Sequence, residues 1–457
     1  MEKFIQWMEQ HFVPIASKLG SQRHLVAIRD GFIALMPLVM AGSLATLLNN
    51  VLFTPTSLVA TWFHLNPKGG YLTFTTTYLQ PLMGNIWWGT LAILGFVLVF
   101  TLSYSLAASY DVNPLSAAVI SVAGFIALTP QGVSAALPTG EKLKDGTTAI
   151  TTWGNLGWQY LNTSALLTAI VVTIVITQIF VFLMKKNITI TLPDNVPPAV
   201  GKAFAAIIPG VVSITIGGLV PIIFVILNNA KIIVQTNLFD LFTTFITTPF
   251  MHLSQNPISA IIYVLAIQIL WFFGLHGGNM MAPITNAIYL PALVANGSGA
   301  HNIFTSVFFD CYVHIGGAGA TLAILISIFI ASKRKDWREI SKLATPASIF
   351  QINEPVMFGL PVVLSPILLI PFLVVPIILT LTAYLATASG LVAYTNVVVP
   401  WVTPVGISAF LATSGDIKAG ILAIVNLIIA IVIYYPFIII ANRYEDKTEE
   451  TEIETEV

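Results

Sequence analysis

Hydrophobic positions in this chain come in long unbroken runs, not in alternation. Apolar stretches occupy about 29–53, 86–108, 115–130, 162–184, 204–229, 257–275, 280–295, 303–331, 362–388 and 418–441. Most are near the roughly 20 residues a helix needs to cross a bilayer. The alternating segments of about ten residues that mark an outer-membrane barrel are not the pattern here. The runs therefore predict an all-α polytopic membrane protein with about ten transmembrane helices.

The polar positions punctuate these runs and set their direction. Residues 1–20 place Phe4, Trp7, Met8, Phe12 and Ile15 on one side, an interfacial amphipathic helix and not a cleaved leader. Lys3, Lys18, Arg23 and Arg29 put that end in the cytoplasm by the positive-inside rule. Segments 54–84 and 131–160 read as outside loops. Lys185-Lys186 and the dense cluster Lys333, Arg334, Lys335, Arg338 and Lys342 mark further cytoplasmic ends. Counting crossings between these anchors makes 280–295 a short span. Around Glu354, 345–361 becomes a re-entrant hairpin, and 391–416, with Pro400, Trp401 and Pro404, becomes a second. Residues 231–256 form an amphipathic connector between an N-terminal half, 1–230, and a C-terminal half, 257–441. The acidic tail 442–457 is expected to be cytoplasmic and disordered.

Composition sharpens this picture. The 457 residues are 56% hydrophobic and 9% charged, with a mean hydropathy of +0.88. Soluble domains carry about 25% charged residues, so that class is excluded. The net charge of −1 arises with seven of the 20 acids between Glu445 and Glu456, and no nucleic-acid partner is expected. Cys311 is the only cysteine, so there is no intrachain disulfide and no CxxC pair. No GxxxxGK[ST] loop, HExxH helix or Cys/His cluster occurs. An ATPase, a metal site and a bound cofactor are therefore not expected.

The candidate chemistry centres on Asn353-Glu354-Pro355-Val356-Met357-Phe358-Gly359. A charged side chain at bilayer depth costs about 2.5–3.5 kcal/mol on insertion scales, so a retained one points to use. Pro355, Gly359 and Pro361 break the helix around the acid, and irregular backbone at depth lines protein or a wet cavity. A carboxylate can accept two hydroxyls at once, which suits a sugar. Asn353 beside it suits either helix capping or substrate contact. His276, between Gly274 and Gly277-Gly278, can donate and accept at neutral pH. Asn279 is a weaker neighbour. Trp271 and Trp401 are either stacking platforms for a sugar ring or interfacial belt anchors. Asp310 and His314, four apart, can face each other on one helix, as a structural pair or a substrate contact.

The Asn-Glu-Pro motif resembles that of enzyme IIC, the membrane component of the bacterial phosphotransferase system, in its lactose/cellobiose/diacetylchitobiose branch. Ile28-Arg29-Asp30-Gly31-Phe32, Gly274-Leu275-His276-Gly277 and Gly316-Gly317-Ala318-Gly319-Ala320-Thr321 are also similar to that family, over most of residues 1–441. The resemblance implies a homodimer in the bacterial cytoplasmic membrane, with both termini cytoplasmic. The first five spans would be its dimerising scaffold. The C-terminal half would move a β-linked disaccharide as one body, an elevator-type motion. Glu354 and His276 become the expected catalytic pair, holding hydroxyls near the one to be phosphorylated, and Trp401 stacks on a ring. The phosphoryl donor is a phosphocysteine on a separate IIB protein, for which Lys333–Lys342 is a candidate docking surface. Two other classes stay open: an ion-coupled carrier with Glu354 as the proton-coupling group, and a sensor that binds sugar without flux.

Overall fold

The structure is a computed structural model that describes residues 21–136, 149–193, 196–360 and 362–456, together with Gln10, Pro14 and Lys18. The interfacial helix expected over 1–20, the charged loop residues Glu141 to Asp145 and Pro361 fall outside them. The chain divides into two compact units. One comprises Arg23–Val39 and Trp88–Phe250, the other Met1–Gln22, Met40–Trp87 and Met251–Val457.

The first unit holds α1 (Arg23–Ala34), α3 (Leu94–Ala108), α4 (Pro114–Leu128), α5 (Leu166–Lys185) and α6 (Ile207–Asn229). Asn113 caps α4 through its side chain, and Pro114 occupies the first turn, where a missing N–H costs nothing. Small residues let these helices approach closely, as expected where lipid gives no hydrophobic drive for helix association. A Cβ at Gly31 would lie 3.1 Å from Leu102 Cα, and one at Gly217 would lie 2.5 Å from the Gly124 carbonyl oxygen. Buried Ser103, Ser121 and Thr177 satisfy one another at 2.8–3.1 Å. Within this unit the connector begins as a short helix, Leu238–Phe242, capped by Asn237. Its Phe239 docks edge-on against Phe125. The strands β1 (Gly132–Ala136) and β2 (Ala149–Trp153) pair antiparallel in the segment read as an outside loop.

Met40–Trp87 groups with the second unit and not with Arg23–Val39 and Trp88–Phe250. Local packing accounts for this. The Trp62 ring lies 5.5 Å from that of Phe410, and the Leu58 side chain covers the place where a Cβ on Gly415 would stand. The helix α2 (Met36–Leu48) leads into this segment.

In the remainder of the second unit, Asn256 caps α7 (Pro257–Phe272). The expected short span is helical without interruption over 277–297. It begins as α8 (Gly277–Ile284) and loosens into a π-turn at Thr285–Tyr289 just before Pro291. A proline ring clashes with the carbonyl four residues back, and a wider turn relieves that contact.

The long span expected over 303–331 is broken. A short α9 (Ser306–Tyr312) gives way to a turn in which Gly316, Gly317, Gly319 and Ala320 all have positive φ, and α10 (Thr321–Ala331) follows. After it come α11 (Lys335–Ile349), α12 (Glu354–Gly359) and α13 (Pro366–Ala388). The chain is largely irregular from 391 to 406, then forms α14 (Ile407–Ala412) and α15 (Ile417–Glu456). The acidic tail therefore continues a helix where disorder was expected.

The class is all-α and polytopic. Among the described residues six helices are long and apolar enough to span, and a seventh is reached if the bent pair Leu238–Ser254 and Pro257–Phe272 counts as one. The sequence expectation of about ten included segments that the fold shortens. At about 1.5 Å per residue, the 15-residue α4 and 11-residue α10 fall short of a 30 Å core.

Candidate functional site

Four irregular pieces of the second unit, with the helix ends beside them, carry the candidate residues. They are the 273–276 turn, the glycine turn 313–320, the 350–353 loop and the 400–406 loop. The first places a histidine. Gly274 takes φ +76 and lets the chain reverse after α7, so His276 becomes the N-cap of α8. Its Nδ1 accepts the Asn279 backbone N–H at 3.0 Å. An accepting Nδ1 carries no proton, so in the neutral ring the proton sits on Nε2. That nitrogen lies 3.4 Å from Glu354 Oε1.

Gly277 is needed for this placement, because a Cβ there would fall on the Ile267 carbonyl oxygen. Trp271 is 1% exposed, and its ring centre lies 4.5 Å from the imidazole, so it backs His276. Asn279 contributes through its backbone N–H.

Glu354 starts α12 with Pro355 in the first turn. Its side chain is 44% exposed and that of His276 41%. Among the described residues no lysine or arginine pairs with it. The pair is therefore a half-open acceptor and donor, not a dry ion pair sealed in a helix seam. Asn353 is buried, and its Nδ2 donates to the Ala318 carbonyl at 3.4 Å instead of capping α12. Trp401 is 37% exposed and rides on a tight turn, where the Thr403 N–H and hydroxyl both donate to the Pro400 carbonyl, at 3.0 and 2.7 Å.

Two further residues are not anticipated from the sequence. Gln351, buried, accepts the Gly316 N–H with its Oε1 and donates from Nε2 to the Thr403 carbonyl at 3.2 Å. Phe358 is 63% exposed with its ring 6.3 Å from Trp271, which adds an aromatic surface beside the pair. Phe358 lies one helical turn after Glu354, and that spacing is the signal by which the sequence could have marked it.

The expected pairing of Asp310 with His314 does not form. Helix α9 ends at Tyr312, the i, i+4 register is lost, and neither His314 ring nitrogen finds a hydrogen-bond partner. No cluster of three or more metal-ligating side chains occurs among the described residues.

Replacing His276 separates its two roles. His276→Ala removes the cap, at about 1 kcal/mol, and also removes the Nε2 donor. His276→Asn keeps a good N-cap and loses only the reach to Glu354. We expect the Asn variant to melt near wild type and both variants to bind sugar about tenfold more weakly. Thermal melts and binding isotherms on the purified protein read both effects, and a wild-type isotherm for His276→Asn would remove His276 from the site.

The family model for "Phosphotransferase system, EIIC" matches residues 29–376, about three quarters of the chain. This chain belongs to the phosphotransferase-system EIIC family. Among the proteins similar to it, the "PTS system cellobiose-specific EIIC component" of Lactococcus lactis subsp. lactis (strain IL1403) is 38% identical, over 99% of this chain and 100% of the relative. The protein of the same description from Geobacillus stearothermophilus is 36% identical, over 99% and 97%. The crystal structure of the transporter ChbC, the IIC component from the N,N'-diacetylchitobiose-specific phosphotransferase system, superposes with a TM-score of 0.84 at 30% identity. That match covers 97% of this chain and 99% of that one. The EIIC chain thus falls in the lactose/cellobiose/diacetylchitobiose branch and is a multi-pass membrane protein.

Proposed function

We propose that this EIIC chain is the permease of a phosphoenolpyruvate-dependent phosphotransferase system. It takes up a β-linked disaccharide of the cellobiose or diacetylchitobiose kind and offers a primary hydroxyl to a phosphorylated IIB protein at the cytoplasmic face. The observation that carries the reading is the half-open Glu354–His276 pair, 3.4 Å apart, an acid that no lysine or arginine pairs among the described residues. The sugars in the relatives' names, cellobiose and diacetylchitobiose, support the sugar class.

In this scheme Glu354 accepts sugar hydroxyls and His276 donates from Nε2. A substrate hydroxyl passes its proton to the Glu354 carboxylate as its oxygen bonds to phosphorus. The donor's phosphorus–sulfur bond breaks, and the sulfur leaves as a thiolate. Cys311 is fully buried and is not the donor; in this scheme the phosphocysteine is that of the IIB protein. The charged product cannot recross the bilayer. Residues 1–230 serve as the homodimer scaffold, 231–256 as connector and 257–441 as the moving sugar-binding half. Both termini lie in the cytoplasm.

Uptake by vesicles tests this scheme. Transport should require phosphorylated IIB and survive an uncoupler. Uptake that collapses with the uncoupler and persists without IIB would replace it with an ion-coupled carrier. Binding without flux would leave only a sensor.

The start of α11 suits an anionic partner. Arg334 is committed to Asp336, at 2.7 Å, and its hydrogen bond holds that carboxyl below the usual carboxylate range. Arg338 caps the Phe329 and Ser332 carbonyls. Lys333 and Lys335 are exposed. Reversing both to Glu should slow sugar phosphorylation about tenfold at low salt, and less at high salt, with sugar affinity unchanged. Equal rates across a salt series would exclude this surface.

A further inference from the structure

The end of α11 is built as a Schellman turn. The Gln351 N–H donates to the Ser348 carbonyl at 3.0 Å, and the Ile352 N–H donates to the Ala347 carbonyl at 3.1 Å. In that motif the left-handed position is usually glycine, because a Cβ is disfavoured there. Here it is occupied by Gln351, at φ +67. A residue held in an unfavourable conformation, where glycine would be unstrained, points to a use for its side chain.

The side chain is buried, and both ends of its amide are engaged. Oε1 takes the Gly316 N–H, and Nε2 donates to the Thr403 carbonyl at 3.2 Å. Acceptor and donor on one terminal group is amide chemistry. An ionised Glu lacks the donor, Lys and Arg lack the acceptor, and Asn is one methylene shorter. The two partners matter for where they lie. Gly316 opens the turn whose Ala318 carbonyl takes the Asn353 amide, directly before Glu354. Thr403 closes the turn that carries Trp401. One buried amide, three residues before the acid, thus ties the aromatic turn to the carboxylate's own loop.

We propose that Gln351 is a positioning residue that fixes the Trp401 ring relative to the Glu354 carboxylate, and so sets the span of sugar the site accepts. This deepens the reading given under Proposed function and rests on it. Gln351 acts through Trp401 and does not itself touch sugar.

A double-mutant cycle tests the assignment. Gln351→Gly removes the amide while giving the turn its easiest residue, and Trp401→Ala removes the ring. Disaccharide affinity of the purified protein should fall about tenfold for Gln351→Gly alone, and by less than about twofold when the same change is made in Trp401→Ala. In this proposal the acid and the aromatic ring hold separate sugar rings, so the affinity of a monosaccharide should move less than about twofold in Gln351→Gly.

Equal factors in the two backgrounds would make Gln351 a packing residue only and overturn the proposal. So would a wild-type isotherm for either single variant. If Gln351→Gly does not assemble, Gln351→Asn, which also tolerates the left-handed region, goes through the same cycle with the same criteria. The underlying reading of the acid is tested apart from this, by Glu354→Gln. That variant should lose binding whether or not Gln351 couples to Trp401.

Discussion

Glu354→Gln should assemble like the wild type and bind sugar about a hundredfold more weakly. The substitution keeps the size of the side chain and removes its charge. It also turns one acceptor oxygen into a donor. In the wild type both carboxylate oxygens can take hydroxyls, and hydrogen bonds to a charged partner are each worth about 1.5–3 kcal/mol. The amide offers one oxygen only, and its NH2 either faces the His276 Nε2–H or takes an acceptor's place toward the sugar. Because the side chain is 44% exposed, little of the fold depends on its charge. Binding isotherms and gel filtration in the same detergent give the two readouts. A variant with wild-type affinity would end the assignment of the acid to the sugar.

Gly317→Ala should damage the second unit's glycine turn and the acid's loop together. Gly317 sits at φ +104, where side chains are strained whatever the space. Its Cβ would also stand 2.5 Å from Asn353 Cβ and 3.0 Å from the Gln351 carbonyl oxygen. Strain of about 1–3 kcal/mol adds to about 1–3 kcal/mol of overpacking. The atoms that must give way belong to the loop that ends at Glu354. The variant should therefore melt several degrees lower and lose sugar affinity together. Gly218→Ala is the control, with nothing within 4 Å of its added carbon and an ordinary helical backbone. It should melt and bind like the wild type. A Gly317→Ala protein that matches this control would show that the turn is not wedged against the 351–353 loop.

Part of the site is legible in the sequence. An acid next to proline inside apolar sequence is conspicuous, because lipid penalises a charge and a bilayer leaves unpaired backbone no water. The same holds for His276 between glycines. Gln351 is not legible in this way. A glutamine beside a helix end looks like any polar loop residue until its φ and its two partners are known. Asp310 and His314 fail the other way. Their spacing predicts a shared helical face, but the spacing rule holds only while the helix continues, and α9 stops at Tyr312.

What the sequence determined by itself is what depends on short stretches of chain and on solvent. Apolar runs near bilayer length declared the membrane class, basic clusters declared the expected sides, and Pro and Gly declared where helices could break. Only the tertiary structure decided which breaks meet. Gln351 reaches partners 35 and 52 residues away, and the glycine turn at 316–320 takes its shape from Asn353, Phe372 and Tyr434 pressed against it. Such contacts are set by how whole helices pack, and no local window of residues contains that information.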